Sequence, residues 1–96
     1  MLININFDEL KKLIGSINII DIRMKDDYDM GHIKTSINIP NSQLMCNYGR
    51  YLDKSKTYYL YCQYGKTSIK TCMYLSKLGY NVINITGGYD YFIKTL

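Results

Sequence analysis

The 96-residue sequence predicts a single α/β domain, 1–96, in which helices cover both faces of a largely parallel sheet. Short β-branched runs alternate along the chain with segments whose apolar residues follow helical spacing. A hydrophobic share of 47% is enough for one core, whereas the length is too small for two. Charged residues make up 21% and proline occurs once, so we expect a chain that is ordered nearly end to end.

The first part of the chain predicts strands at 3–5 and 17–22 with a helix between them. Asn6 or Asp8 can cap this helix, and Gly15 can close it. Its apolar residues at helical spacing are Phe7, Leu10, Leu13 and Ile14.

The next part predicts a strand at 36–39 that Pro40 ends. The polar segment 25–34 before it predicts a surface loop or a short helical turn. After it, Asn41 or Ser42 can cap a weak helix. The residues assigned to this helix are Leu44, Met45 and, at an end left open, Tyr48.

The second half predicts a strand, a helix, a strand and a terminal helix at 57–61, 66–78, 81–85 and 89–96. Glycines end the first helix and turn the chain after the second strand: Gly79, Gly87 and Gly88. The expected apolar face of helix 66–78 consists of Ile69, Cys72, Met73 and Leu75.

Composition and charge narrow the classes of function. The N-terminus lacks a basic stretch followed by an apolar one, and no segment approaches the roughly 18 apolar residues of a membrane span. Three cysteines without disulfide-like spacing favour a reducing compartment, so we expect a cytoplasmic protein away from the membrane. The net charge is +4, but the lysines are scattered, which favours a small anionic partner over nucleic acid.

Cys62 lies where strand 57–61 gives way to helix 66–78, and sites in parallel sheets gather at such strand ends. Gly65 permits a positive φ, so backbone N–H groups can point at the sulfur, while the helix dipole and Lys66 favour a thiolate. Such a thiolate can attack an electrophilic sulfur and hold it as a persulfide, without a metal or an organic cofactor. The alternative from this loop alone is a buried core cysteine.

Several short motifs follow one another in a distinctive order. The first half carries, in order, Asp21, Ile22, Arg23, Tyr28, Gly31, His32, Ile33, Ile37, Asn38, Ile39 and Pro40. The second half carries Tyr61, Cys62, Gln63, Tyr64, Gly65, then Leu78, Gly79, Tyr80, Val82, and then Gly87, Gly88, Tyr89. This order resembles the DxR, GHI, NIP, YCxxG and LGYxxV motifs of the rhodanese-like domain family and covers most of the chain.

The resemblance implies a three-layer α/β/α domain with a five-stranded, mainly parallel sheet and sulfurtransferase activity through a cysteine persulfide. Cys62 would accept sulfur from thiosulfate or a persulfide and pass it to a thiol or cyanide. The backbone around the sulfur would be that of Gln63, Tyr64, Gly65, Lys66, Thr67 and Ser68. Four matching positions would hold loops and the floor of the site: Asp21, Arg23, Gly31 and His32.

The sequence also departs from the family pattern. Thr67 stands where many single-domain members carry Arg, and Gln63 and Tyr64 stand where two-domain thiosulfate enzymes carry basic residues. Asp27 precedes Tyr28, where those enzymes place a basic residue that helps to bind thiosulfate. These departures predict weak binding of thiosulfate.

Three other functions of the sequence are considered. A phosphatase or arsenate reductase of this fold would need an arginine where Ser68 stands. A sulfur carrier, persulfide sensor or partner-binding module, working with a protein of a sulfur relay, would turn over free substrates slowly. A metal site is disfavoured because His32, Cys46, Cys62 and Cys72 lack CxxC or HxxxH spacing. His32 is expected to be structural, since a thiolate stabilised by its loop needs no general base.

Overall fold

The computed structural model describes residues 2–96, which form one sheet of five parallel strands flanked by helices. The strands are β1 Asn4–Ile5, β2 Asn18–Asp21, β3 Ile37–Asn38, β4 Thr57–Tyr61 and β5 Asn81–Ile85. Their order across the sheet is β1-β5-β4-β2-β3, and every pairing is parallel. The predicted α/β class with a five-stranded, mainly parallel sheet is confirmed.

Within residues 2–96, five helices connect the strands and a sixth follows β5: α1 Phe7–Lys11, α2 Lys25–Met30, α3 Asn41–Cys46, α4 Tyr48–Tyr51, α5 Lys66–Lys77 and α6 Gly88–Lys94. Successive strand residues face opposite sides of the sheet, so each side has its own core. One core holds Ile20, Leu44, Leu60, Cys72, Leu75 and Val82. The other holds Ile5, Phe7, Leu10, Ile19, Tyr61 and Ile85. The molecule therefore has three layers. Within residues 2–96, none of the helices has the length and hydrophobicity that a membrane-spanning helix needs.

The second half follows the sequence prediction closely. β4 and β5 have the predicted bounds, and α5 ends one residue earlier than predicted. The expected apolar face of α5 is wrong at Met73, which is 44% exposed. The buried side of the helix instead follows i, i+3, i+4 and i+7 spacing through Ser68, Thr71, Cys72 and Leu75.

The first half differs more from the prediction. α1 ends at Lys11 instead of reaching Gly15, because the chain continues through turns that still pack Leu13 and Ile14 against the core. Asn6 caps α1 by accepting a hydrogen bond from the backbone N–H of Glu9 at 2.9 Å.

The predicted cap of α3 is wrong. Pro40 occupies the cap position, and Asn41 lies inside the helix, where its Oδ1 accepts a hydrogen bond from the Thr71 hydroxyl at 2.6 Å. α4 was not predicted. α2 forms in the segment predicted as a surface loop or short helical turn, and the terminal helix α6 begins at Gly88.

Candidate active site

Cys62 follows directly on β4, the middle strand of the sheet, and its side chain is buried. Its Sγ accepts hydrogen bonds from the backbone N–H of Gly65 at 3.1 Å and of Ser68 at 3.3 Å. The Ser68 Oγ lies 3.3 Å from the same sulfur. Because these donors belong to the N-terminal end of α5 and the turn before it, they stabilise negative charge at the sulfur.

The turn between Cys62 and α5 depends on Gly65. This residue has φ +88°, a left-handed conformation that other residues rarely adopt, and it is the N-cap of α5. A Cβ at this position would lie 3.1 Å from the backbone nitrogen of Gly87, so the β5–α6 turn packs closely against the loop. The turn brings the Gly65 N–H back to the sulfur three residues earlier.

The start of α6 holds the carbonyl side of the same loop. The Tyr89 N–H donates to the Cys62 carbonyl, and the Asp90 N–H donates to the Gln63 carbonyl, both at 2.9 Å. A Cβ on Gly88 would lie 2.5 Å from the Cys62 carbonyl oxygen, so this approach requires glycine. The loop is thus fixed by its carbonyls on one side, while the N–H groups of Gly65 and Ser68 face the sulfur on the other.

Arg23 braces the loop from the end of β2. Its guanidinium donates to both Asp21 carboxylate oxygens at 2.8 to 3.1 Å, to the Gln63 Oε1 at 3.0 Å and to the Gly31 carbonyl at 2.7 Å. It also lies over the ring of Tyr89, 4.2 Å from the centroid. Burial works against the charge, but the hydrogen bond and charge of Asp21 prevail and raise the pKa of Arg23. The guanidinium therefore stays charged and is engaged within the fold.

His32 lies on the surface of the loop that follows α2. Its ring stacks on that of Tyr28 with centroids 3.7 Å apart, and its Nδ1 lies 2.8 Å from the Tyr28 carbonyl. The Tyr28 hydroxyl in turn donates to the Ser36 carbonyl at 2.5 Å. The same segment carries the Gly31 carbonyl, which accepts a hydrogen bond from Arg23. The scaffold role of these residues stays a prediction.

The structure divides the predicted sulfur-binding loop into two groups. Gly65 and Ser68 are buried and donate to Cys62, whereas the side chains of Tyr64, Lys66 and Thr67 are exposed. The side-chain oxygen of Gln63 accepts from Arg23 rather than pointing freely toward solvent.

The sequence did not predict a series of hydrogen-bonded polar side chains behind the sulfur. Ser68 Oγ donates to the Oδ1 of Asn84 at 2.6 Å, and the Nδ2 of Asn84 donates to the Oδ1 of Asn4 at 3.0 Å. Asn84 is fully buried in β5. An asparagine inside the otherwise strand-forming run NVINI was the available signal, because asparagine is depleted in strands unless its amide has partners.

The other two cysteines differ from Cys62. Cys72 is fully buried in the core, where burial, and after it the charge of Cys62, raises the pKa of Cys72 to about 12. Cys46 is exposed at the end of α3, and all three thiols are free. Among residues 2–96, no three His, Cys, Asp or Glu side chains gather into a group that could hold a metal ion.

Comparison with known proteins identifies the family of this chain. Residues 6–95 match the family model described as Rhodanese-like domain. The chain belongs to the rhodanese-like domain family. A rhodanese-related protein from Thermoplasma volcanium has the same fold with a TM-score of 0.89 at 31% identity, over 97% of this chain and 92% of that one.

Two curated relatives carry names that describe an activity. Thiosulfate sulfurtransferase PspE of Escherichia coli is 31% identical over 70 residues, which cover 72% of this chain and 67% of that protein. The adenylyltransferase and sulfurtransferase uba4 of Ogataea parapolymorpha is 31% identical over 71 residues, which cover 73% of this chain. The match spans only 18% of the length of uba4. Rhodanese-like domains related to this chain thus occur in proteins named as sulfurtransferases.

Proposed function

We propose that this rhodanese-like domain is a sulfurtransferase in which Cys62 carries the transferred sulfur as a persulfide. The observation that carries the proposal is the position of the Cys62 Sγ at the focus of two backbone N–H groups and one hydroxyl, at the N-terminal end of α5. The two N–H groups stabilise a thiolate before transfer, and they remain beside the Cys62 sulfur when it carries the persulfide.

The reaction proceeds in two displacements at sulfur. The Cys62 thiolate attacks the outer sulfur of thiosulfate or of a persulfide; the S–S bond of the donor breaks, and sulfite or a thiolate leaves with the electron pair. A thiolate or cyanide acceptor then attacks the outer sulfur of the Cys62 persulfide. That S–S bond breaks in turn, so the product is a new persulfide or thiocyanate and Cys62 returns as a thiolate. Both steps balance without an external oxidant, a metal or an organic cofactor.

The charges at the loop support an anionic donor that is held weakly. Lys66 is exposed in the first turn of α5, whereas the guanidinium of Arg23 is engaged by Asp21, Gln63 and Gly31. We therefore expect thiosulfate to bind less tightly than in a site with a free arginine. A nucleophile that must stay reduced also supports placing the protein in the cytoplasm.

A second candidate is a relay module that passes sulfur to a protein partner and turns over free substrates slowly. The relative uba4 supports it, since its name joins adenylyltransferase and sulfurtransferase in one protein that is much longer than this chain. In both candidates Cys62 carries the sulfur, so one experiment tests the shared step.

The test is intact-mass spectrometry after brief exposure to thiosulfate or to a low-molecular-weight persulfide, with and without a thiol reductant. The reference protein carries Cys46→Ser, which removes the exposed thiol, and the matched control adds Cys62→Ser. We expect the reference to gain the mass of one sulfur atom and to lose it to the reductant. A gain that persists in the Cys62→Ser control would overturn the proposal. A gain from the persulfide but not from thiosulfate would favour the relay candidate.

A further inference from the structure

The polar chain behind Cys62 runs from the sulfur to the surface. It passes from Cys62 to Ser68 on α5, then to Asn84 on β5, and ends at Asn4 on the edge strand β1. Ser68 and Asn84 are fully buried, whereas Asn4 is exposed. Because buried polar groups need hydrogen-bond partners, the donor and the acceptor of each link in this series determine whether Ser68 can donate to the sulfur.

The direction of the hydrogen bonds fits a neutral thiol. A serine hydroxyl has one hydrogen, and the shortest contact of Ser68 Oγ, at 2.6 Å, is with the Oδ1 of Asn84. Its contacts with the Gly65 carbonyl and the Cys62 sulfur are longer, at 3.4 and 3.3 Å. With its hydrogen directed at Asn84, Ser68 can only accept from Cys62. The chain then runs from the S–H outward to Asn4.

The same heavy-atom positions fit a thiolate if the chain runs the other way. An asparagine amide carries a donor and an acceptor of nearly equal size, so a half-turn of the amide exchanges them without moving its neighbours. After such a half-turn Asn4 donates to Asn84, Asn84 donates to Ser68, and the Ser68 hydroxyl donates to the sulfur. The proton of Cys62 leaves to solvent, and no proton passes along the chain.

We propose that Asn84 is a positioning residue for Cys62: its amide turns, the amide of the exposed Asn4 follows it, and Ser68 switches from accepting the thiol hydrogen to donating to the thiolate. The inference rests on the proposed role of Cys62 as nucleophile, but it concerns the ionisation of the thiol and needs no sulfur donor. It explains why a strand interior carries a buried asparagine whose neighbour across the sheet, Asn4, is its Cα partner in the β1–β5 pairing.

The exposed end of the chain allows a test with little risk to folding. Asn4→Asp has the same shape but can only accept, so it holds the Nδ2 of Asn84 toward residue 4 and keeps the Ser68 hydrogen on Asn84. The thiolate then loses one of its three donors. Asn4→Ala leaves Asn84 free to take either orientation and is the matched control. The charged and titratable neighbours of the loop stay unchanged in all variants, among them Arg23, Tyr64, Lys66, Cys72 and Asp90.

The readout is the rate of alkylation of Cys62 by iodoacetamide against pH, in the Cys46→Ser background. We expect Asn4→Asp to move the midpoint of this profile upward by about half a pH unit or more, the scale of one hydrogen bond. Asn4→Ala should leave the midpoint within about 0.3 units. Alkylation is assigned by peptide mass spectrometry, so any reaction at Cys72 is counted separately.

A second pair of variants separates the chain from simple charge. If the new carboxylate acts through the series of hydrogen bonds, its effect must disappear when that series is interrupted. Asn84→Leu removes the link next to residue 4, and Ser68→Ala removes the link next to the sulfur. An Asn4→Asp shift that vanishes in both cut backgrounds supports the proposal. A shift that persists in either background, or no shift in Asn4→Asp alone, would overturn it. Neither result depends on whether the protein transfers sulfur.

Discussion

Cys62 and Cys72 are two buried thiols in one apolar cluster, and they differ in what surrounds the sulfur. Cys62 directly follows a strand and meets two backbone N–H groups and a hydroxyl within 3.3 Å. Cys72 lies on the inner face of α5, where burial raises its pKa to about 12. Burial alone therefore makes a thiol inert, and the loop donors supply what Cys72 lacks.

The difference arises from the backbone and not from the residue type. A helix directs its own N–H groups along its axis into the preceding turn, so a cysteine in its middle meets only side chains. A cysteine placed before the helix faces the free N–H groups of the first turn. Ten residues of sequence separate these two environments in this chain.

Serine substitutions at the two cysteines should have opposite effects, and this is the largest effect we expect. Cys62→Ser should abolish sulfur transfer and change stability by less than about 1 kcal/mol, because the hydroxyl can accept from the same N–H groups. Cys72→Ser should keep transfer but lose about 1–3 kcal/mol, since it places a hydroxyl in an apolar core. Transfer assays and urea unfolding of both variants check this. A folded Cys72→Ser protein without transfer activity would break the comparison.

Gly88→Ala should displace the loop whose N–H groups distinguish the surroundings of Cys62 from those of Cys72. The new Cβ would lie 2.5 Å from the Cys62 carbonyl oxygen, at a residue with φ +64°. We expect a loss of more than about 3 kcal/mol, which combines backbone strain with a steric clash. Cys62 should also alkylate more slowly, because the displaced loop misaligns its donors.

Gly15→Ala is the matched control for this substitution. Gly15 has φ +101°, but nothing lies within 4 Å of its added Cβ. It should therefore lose only the roughly 1–2 kcal/mol of the left-handed conformation, and alkylation of Cys62 should not change. Urea unfolding measures both losses. Equal losses at Gly15 and Gly88 would show that the contact with the Cys62 carbonyl is unimportant.

The elements that the sequence predicted well are those with long, uninterrupted patterns. The strand TYYLY and the following helix have strong periodicity, and both were located nearly to the residue. α2 and α4 have no buried residues, so no apolar pattern marks them in the sequence. Short helices of this kind depend on the positions of the flanking strands and loops, which the local sequence does not show.

The candidate site likewise has features that the local sequence predicts and features that depend on distant parts of the chain. The position of Cys62 and its glycine turn are local features, so a strand-to-helix pattern is enough to predict them. Asn4 and Asn84 meet across 80 residues of sequence, and only the pairing of β1 with β5 brings them together. The side chain of Ser68 likewise acquires its partner from β5, so its position in the loop was predictable but its contact was not.

Cys72 should also give a measurable pH dependence of stability. In the unfolded chain its thiol ionises near the ordinary pKa of about 8.5, whereas in the folded protein burial holds the pKa of Cys72 at about 12. Between these values the unfolded state binds fewer protons. The contribution of Cys72 to stability is therefore complete below about pH 8.5 and declines as the pH rises toward 12.

Urea unfolding at pH 8 and pH 10 tests this for the wild type and Cys72→Ala. The wild type should lose about 1–2 kcal/mol more than the variant between the two pH values. Burial also raises the pKa of Tyr61, but this residue is present in both proteins and cancels in the difference. Equal losses in the two proteins would mean that the Cys72 thiol ionises as readily in the folded protein as in the unfolded chain.

Lys66→Ala should have the smallest effect and tests whether the site of Cys62 uses charge from its rim. Lys66 is exposed in the first turn of α5, so we expect the KM for an anionic sulfur donor to rise about two- to fivefold, with little change in kcat. The effect should fade at high ionic strength. Lys77→Ala, about 16 Å away at the far end of the same helix, removes the same net charge and should leave KM unchanged. If both variants raise KM equally, the donor responds to the overall charge of the protein, and Lys66 has no place in the site.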